Sequence, residues 1–216
     1  MRHFDLLIFD WDGTLADSVG EIVSTMQSAI RVLDLPPRAD QQIAELIGLG
    51  LADGMHRLYP EYATLTLLEL LATYRAKAPG RVYEAPLFGG VDASLSGLRD
   101  AGYRLAIATG KPRFGLARSL VCHAQLAPLF ELSRCADETA DKPNPLMLAE
   151  ILTATGVAPE RALMIGDTEY DVAMASALGM PALGVACGVH DAGRLLKAGA
   201  KAVIDDVGAV PRWLGN

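Results

Sequence analysis

The 216-residue chain lacks several features that often point to a function. Its three cysteines, Cys122, Cys135 and Cys187, form no CxxC pair and cannot all pair with one another. That usage argues for a reducing, cytoplasmic setting, with the thiols acting as small apolar packing residues. The four histidines, His3, His56, His123 and His190, are scattered without zinc-type spacing and read as surface or packing residues. Positive charge is scarce: 19 Lys and Arg stand against 26 Asp and Glu, a net charge of −7. This excludes the basic face that nucleic-acid binding requires and argues against docking on anionic lipid. The uncharged stretch 172–189 is broken by Gly179, Pro181, Gly184 and Gly188, so it reads as a helix ending at Gly179 and then a buried strand, not a membrane span. Acidic Asp5 follows the N-terminal Met1 closely and leaves no uncharged signal-peptide core.

An apolar fraction of 51% is enough for a buried core and excludes disorder. Short apolar runs recur at 6–9, 105–108, 162–165, 182–185 and 202–204, each bounded by polar or turn residues. Runs of that length and continuity suit strands buried on both faces of a parallel sheet. Helical periodicity lies between them, at 91–101, 114–122, 146–155, 169–178 and 191–198. Asn144-Pro145 places a capping side chain and then a proline at the start of the third of these. The alternation predicts an α/β fold with a doubly wound parallel sheet.

Residues of about 18 to 80 depart from that alternation. Ile22, Val23, Met26, Ala29, Ile30 and Leu33 keep a helical period, with Ser18 and Glu21 spaced as a capping box and Pro36-Pro37 as a terminator. Helical patterns follow at 41–47, 51–58 and 65–75, the last ending near Pro79-Gly80. The span predicts an all-helical insert after the first strand, dividing the chain into a core of 1–16 and 83–216 and a helical unit of 17–82.

The first run ends in Asp10-Trp11-Asp12-Gly13-Thr14. Strand ends at the carboxyl edge of a parallel sheet face the ligand crevice. Two carboxylates at i and i+2 there would share a side and perturb one another, leaving one ionised and one protonated, as a nucleophile and a general acid require. A solvated Asp-Gly turn is the plainer alternative. The third run leads into Gly166-Asp167-Thr168-Glu169-Tyr170-Asp171. Thr168 and Asp171 have the spacing of a capping box, whereas Asp167 precedes the cap and reads as a hard oxygen ligand. With Asp10, Asp12, Asp167 and Asp171 in one crevice and Lys142 as the one compensating motif cation, an oxygen-coordinated magnesium ion is expected, not zinc. Thr109 and the free N–H of Gly110 end the second run as a candidate anion site, or as a helix cap. Lys142, in Asp141-Lys142-Pro143, is a cation on a backbone stiffened by proline.

In this order the four segments resemble the haloacid dehalogenase superfamily of phosphohydrolases. They are most similar to its phosphoglycolate-phosphatase-like subfamily, which carries a helical cap after the first motif. The resemblance implies that Asp10 attacks phosphorus and forms an aspartyl-phosphate, and that Asp12 serves as general acid and then base. It implies that Asp10, the carbonyl of Asp12, and Asp167 hold magnesium, with Asp171 assisting through water, and that Thr109 and Lys142 bind the phosphoryl group. Two positions depart from the subfamily: Gly110 stands where asparagine is common, and Asp141 where glycine commonly precedes the lysine. The expected activity is magnesium-dependent hydrolysis of the phosphate monoester of a small metabolite. The alternatives are a phosphomutase of the β-phosphoglucomutase type and a non-catalytic phosphoacceptor module. The expected partners are a phosphorylated metabolite, with no nucleic acid and no membrane, and a monomer or weak homodimer. The turn Ile47-Gly48-Leu49-Gly50 is a candidate lid over the crevice, and Arg57, Arg75 and Arg81 are candidate anion readers or, more simply, solvated charges.

Overall fold

The computed structural model describes residues 3–77 and 85–215. Leu6–Phe9 forms β1, in which Leu7 and Phe9 enter one apolar cluster while Leu6 and Ile8 enter another. A strand buried on both faces sits in the middle of a sheet, and β1 pairs in parallel with β2 (Arg104–Thr109) on one side and β4 (Ala162–Gly166) on the other. β3 (Leu132–Cys135), β5 (Ala182–Val185) and β6 (Ala202–Ile204) complete the order β3-β2-β1-β4-β5-β6, with every pairing parallel. The order reverses between β1 and β4, so the crevice opens at the carboxyl ends of these central strands.

Among the described residues, four helices lie between β1 and the return of the chain to the sheet at 86–88: α1 (Val19–Val32), α2 (Asp40–Ala44), α3 (Leu51–Leu58) and α4 (Thr64–Lys77). They bury a third apolar cluster of their own that includes Met26, Ile30, Ile43, Met55 and Leu70. The chain leaves the sheet and returns to it side by side. Asp17 donates its N–H to the Pro86 carbonyl at 2.8 Å, and Phe88 donates to Leu15 at 3.0 Å. The expected end of the last of these helices at Pro79-Gly80 lies outside the described residues.

α5 (Val91–Asp100), α6 (Arg113–Cys122) and α10 (Val210–Leu214) cover the Leu7–Phe9 face of the sheet through Leu95, Leu116 and Val210. α7 (Leu146–Thr155), α8 (Glu169–Ser176) and α9 (Ala192–Ala198) cover the other through Ile151, Val172 and Leu195. The uncharged stretch divides as its sequence implied: α8, a turn with Gly179 at φ 67°, then β5. Among the described residues, no helix is long and apolar enough to cross a membrane.

One strand was not anticipated and two expectations are corrected. β3 has no apolar run; its Leu-Ser-Arg-Cys is mostly half-exposed and pairs only with β2. The capping box at α1 does not form, because Ser18 makes no cap hydrogen bond and its hydroxyl is engaged elsewhere. The three cysteines are free, but only Cys135 is buried; Cys187 is half-buried and Cys122 is exposed.

Candidate active site

Asp10 is the first residue beyond β1, and its N–H is fixed by the Ile165 carbonyl at 3.0 Å. Asp167 is the first residue beyond β4. The sheet register therefore brings together two aspartates that are 157 positions apart. Asp171, on the first turn of α8, completes the group: carboxylate oxygens of Asp10, Asp167 and Asp171 all lie within 4.8 Å of one another, and all three residues are buried.

Asp167 is held firmly. Thr14 donates its hydroxyl to Oδ1 at 2.7 Å, and the Val189 N–H donates to Oδ2 at 2.9 Å. Gly13 makes that approach possible: it adopts φ 77°, and a Cβ there would lie 2.3 Å from Asp167 Oδ2. Asp171 takes the capping role anticipated for it and also pairs with Lys142. Its Oδ2 accepts the Thr168 hydroxyl at 2.7 Å and the Thr168 N–H at 3.2 Å, closing the capping box of α8. Its Oδ1 accepts Lys142 Nζ at 2.6 Å.

Lys142 is fully buried on the loop between β3 and α7, and its Nζ also lies 2.9 Å from Asp10 Oδ2. Burial opposes its charge, but Asp10 and Asp171 outweigh that, so its pKa is held above the usual lysine value. Asp10 Oδ1 accepts the Trp11 N–H at 2.6 Å. Oδ2, although close to the ammonium, has no hydrogen bond directed at it. Burial pushes the Asp10 carboxyl up to about 8, with Lys142 pulling down and Asp171 and Asp167 pushing further up. Burial raises Asp167 to about 7, assisted by Asp171.

The Asp12 carboxylate is not part of the Asp10, Asp167 and Asp171 group. Its Oδ1 accepts the Ser18 hydroxyl at 2.6 Å and Lys111 Nζ at 2.8 Å. It lines instead a cleft with a cavity volume of ≈ 150 Å³, together with Asp10, Thr109 and Gly110. Thr109, at the end of β2, is buried, and its Oγ accepts the Lys111 N–H at 3.2 Å. Gly110 lies against the turn 47–50: a Cβ on it would sit 2.9 Å from the Gly48 carbonyl, so a side chain such as asparagine would collide with that turn.

The helical unit touches the core at further points. The Tyr170 hydroxyl donates to the Glu45 carbonyl at 3.0 Å, and the Asp141 carboxylate packs directly against Gly50. Arg75 lines the cleft but is exposed, Arg57 pairs with Asp53 on the surface of α3, and Arg81 lies outside the described residues. His190 is buried, its Nδ1 accepting the Glu169 N–H at 2.9 Å, in keeping with a packing residue.

Sequence reasoning missed Ser18 and Lys111. Ser18 carried a competing signal as a helix cap. Lys111 sits two residues after Thr109, and the Thr-Gly-Lys triplet at a strand end was the available clue. The Val189 N–H is a backbone group and leaves no trace in residue identity.

The donor set suits a hard divalent cation. It consists of carboxylate oxygens, buried and clustered, with no sulfur or imidazole among them and one ammonium, that of Lys142, beside Asp10 and Asp171. A family model described as haloacid dehalogenase-like hydrolase matches residues 7–185. The chain is 35% identical to "Probable phosphatase IndB" of Dickeya dadantii, over 93% of this chain and 89% of that protein. It is 31% identical to a phosphoglycolate phosphatase of Rhodospirillum rubrum, over 97% and 90% respectively. In fold it superimposes on a predicted phosphoglycolate phosphatase from Haemophilus somnus with a TM-score of 0.88, covering 99% of each chain at 21% identity. With its motifs placed on the sheet in this way, the chain belongs to the haloacid dehalogenase-like hydrolase family.

Proposed function

We propose that the protein is a magnesium-dependent phosphatase that hydrolyses the phosphate monoester of a small metabolite through an aspartyl-phosphate on Asp10. The observation that carries this reading is the buried group of Asp10, Asp167 and Asp171 beside Lys142. The relatives named phosphatases supply the reaction class. Asp10, the carbonyl of Asp12, and Asp167 would hold Mg²⁺. Asp171 would act through water, since its own oxygens are occupied by Lys142 and Thr168. The ion would offset the clustered negative charge so that an anionic ester can approach.

Asp10 Oδ2 attacks phosphorus in line, forming the new P–O bond as the bond to the leaving alcohol breaks. Thr109, the Gly110 N–H and Lys142 hold the phosphoryl oxygens, and Lys142 keeps Asp10 from being isolated among its acidic neighbours. Asp12 protonates the departing oxygen. It then takes a proton from the water that attacks phosphorus, which releases inorganic phosphate and restores Asp10. Ser18 and Lys111 fix the Asp12 carboxylate where it meets the cleft. The helical unit, residues 17–82, acts as a cap that closes the turn 47–50 over the substrate and excludes bulk water from the first step.

The test is turnover of para-nitrophenyl phosphate with Mg²⁺ and with a chelator. Sustained release that needs the metal supports the reading. Release of one equivalent indicates a phosphoacceptor, and release only with a sugar bisphosphate indicates a mutase; either result overturns it.

A further inference from the structure

The phosphatase reading fixes the phosphoryl end of the substrate at Asp10 and Thr109. The remainder of the ester must then leave through the cleft that Asp10, Asp12 and Thr109 share. That cleft is walled by hydrocarbon. Ile22 and Met26 come from α1, Ile43 from α2, Leu51 and Met55 from α3, and Phe114 faces them from α6. Met26, Ile43 and Met55 belong to the buried apolar cluster of the helical unit and also border this space. The basic residues along it are placed differently. The Lys111 ammonium is held by Asp12 at 2.8 Å, Arg118 is half-buried and Arg75 is exposed. A carboxylate or a sugar hydroxyl group placed against the hydrocarbon wall would lose water without gaining matching partners there.

Resting on the phosphatase reading, we propose that the substrate is the phosphate ester of an alcohol with an apolar body, alkyl or aromatic, and not a carboxylated or polyhydroxylated one. The apolar part lies between α1, α3 and Phe114, and Asp12 meets the leaving oxygen at the inner end of the cleft. Specificity then comes from area removed from water, and each further methylene buried raises kcat/KM about fourfold.

The test compares ethyl, butyl and benzyl phosphate with 2-hydroxyethyl phosphate and phosphoglycolate, all alkyl esters with related leaving groups, in saturating Mg²⁺. The expected result is a rise in kcat/KM from ethyl to butyl to benzyl phosphate, with benzyl phosphate at least about tenfold above phosphoglycolate. Phe114→Ser and Leu51→Gln, at an exposed and a half-buried position, should each lower the benzyl-to-ethyl ratio several-fold. If phosphoglycolate equals or exceeds benzyl phosphate, or both variants leave the ratio unmoved, the inference is overturned while the phosphatase reading stands. If none of the esters, nor para-nitrophenyl phosphate, turns over with Mg²⁺, the phosphatase reading itself falls.

Discussion

Replacing Lys142 with methionine removes the one cation that sits among three buried carboxylates. Its Nζ lies 2.6 Å from Asp171 and 2.9 Å from Asp10, and all of these side chains are essentially inaccessible to water. Methionine fills much of the same space, so the loss is electrostatic, not a cavity. Breaking a buried ion pair by removing one partner costs about 3–5 kcal/mol, which for a chain of this size corresponds to a fall in Tm of roughly 6–20 °C. The carboxylates can escape part of this cost by taking up protons. In the native protein Lys142 pulls the Asp10 pKa down, so its removal sends that carboxyl higher still. At pH 5 the variant therefore keeps Asp10 neutral and loses less. At pH 8 folding must either ionise an uncompensated group or hold a proton against solution, and the loss is larger. Thermal melts of wild type and Lys142→Met in chelator, at pH 5 and pH 8, measure this directly. A variant that melts within about 2 °C of wild type at pH 8 would refute the claim that Lys142 carries the charge balance of the site.

Gly13→Ala should lower catalytic rate by about a hundredfold or more, because the new Cβ would sit 2.3 Å from Asp167 Oδ2 and displace that carboxylate, in addition to straining a φ of 77°. Steady-state kinetics over a Mg²⁺ titration should show a weakened metal dependence. In the metal-free protein the folded Asp10 and Asp167 hold protons up to about 8 and about 7, whereas their unfolded counterparts lose them near the ordinary aspartate value. The unfolded state then binds fewer protons, so stability contributed by these groups falls as pH rises from about 4 towards 8. Melts in chelator should show that decline, and added MgCl₂ should raise Tm more at pH 8 than at pH 5.5, since ligation needs the carboxylates ionised. Ser18→Ala removes the 2.6 Å donor on Asp12 and should reduce kcat about three- to tenfold with KM little changed.

The sheet was legible where burial is two-sided. β1, β4 and β5 write continuous apolar runs because neither face meets water, and their alternation with helical periods marked the architecture. β3 was not legible, since an edge strand with half-exposed Ser133 and Arg134 carries no such run. The convergence of Asp10, Asp167 and Lys142 could be anticipated because strand ends in a parallel sheet share an edge, and the structure places them there. What adjacency in sequence concealed was the set of partners that holds Asp12. Ser18 and Lys111 hold the Asp12 carboxylate whereas Lys142 faces Asp10, so the two aspartates have different partners though only one residue lies between them. Ser18 matched a capping box as well as it matched a partner for Asp12. Only the path of the chain into α1 decides between them.

The account depends most on Asp10 being the group that takes the phosphoryl moiety. Its most direct measurement is the kcat of Asp10→Asn on para-nitrophenyl phosphate in saturating Mg²⁺, with circular dichroism confirming a native fold. The amide keeps the shape and the Trp11 contact but is a poor nucleophile, so turnover should fall by at least about a thousandfold. Turnover within tenfold of the wild-type rate would contradict the account.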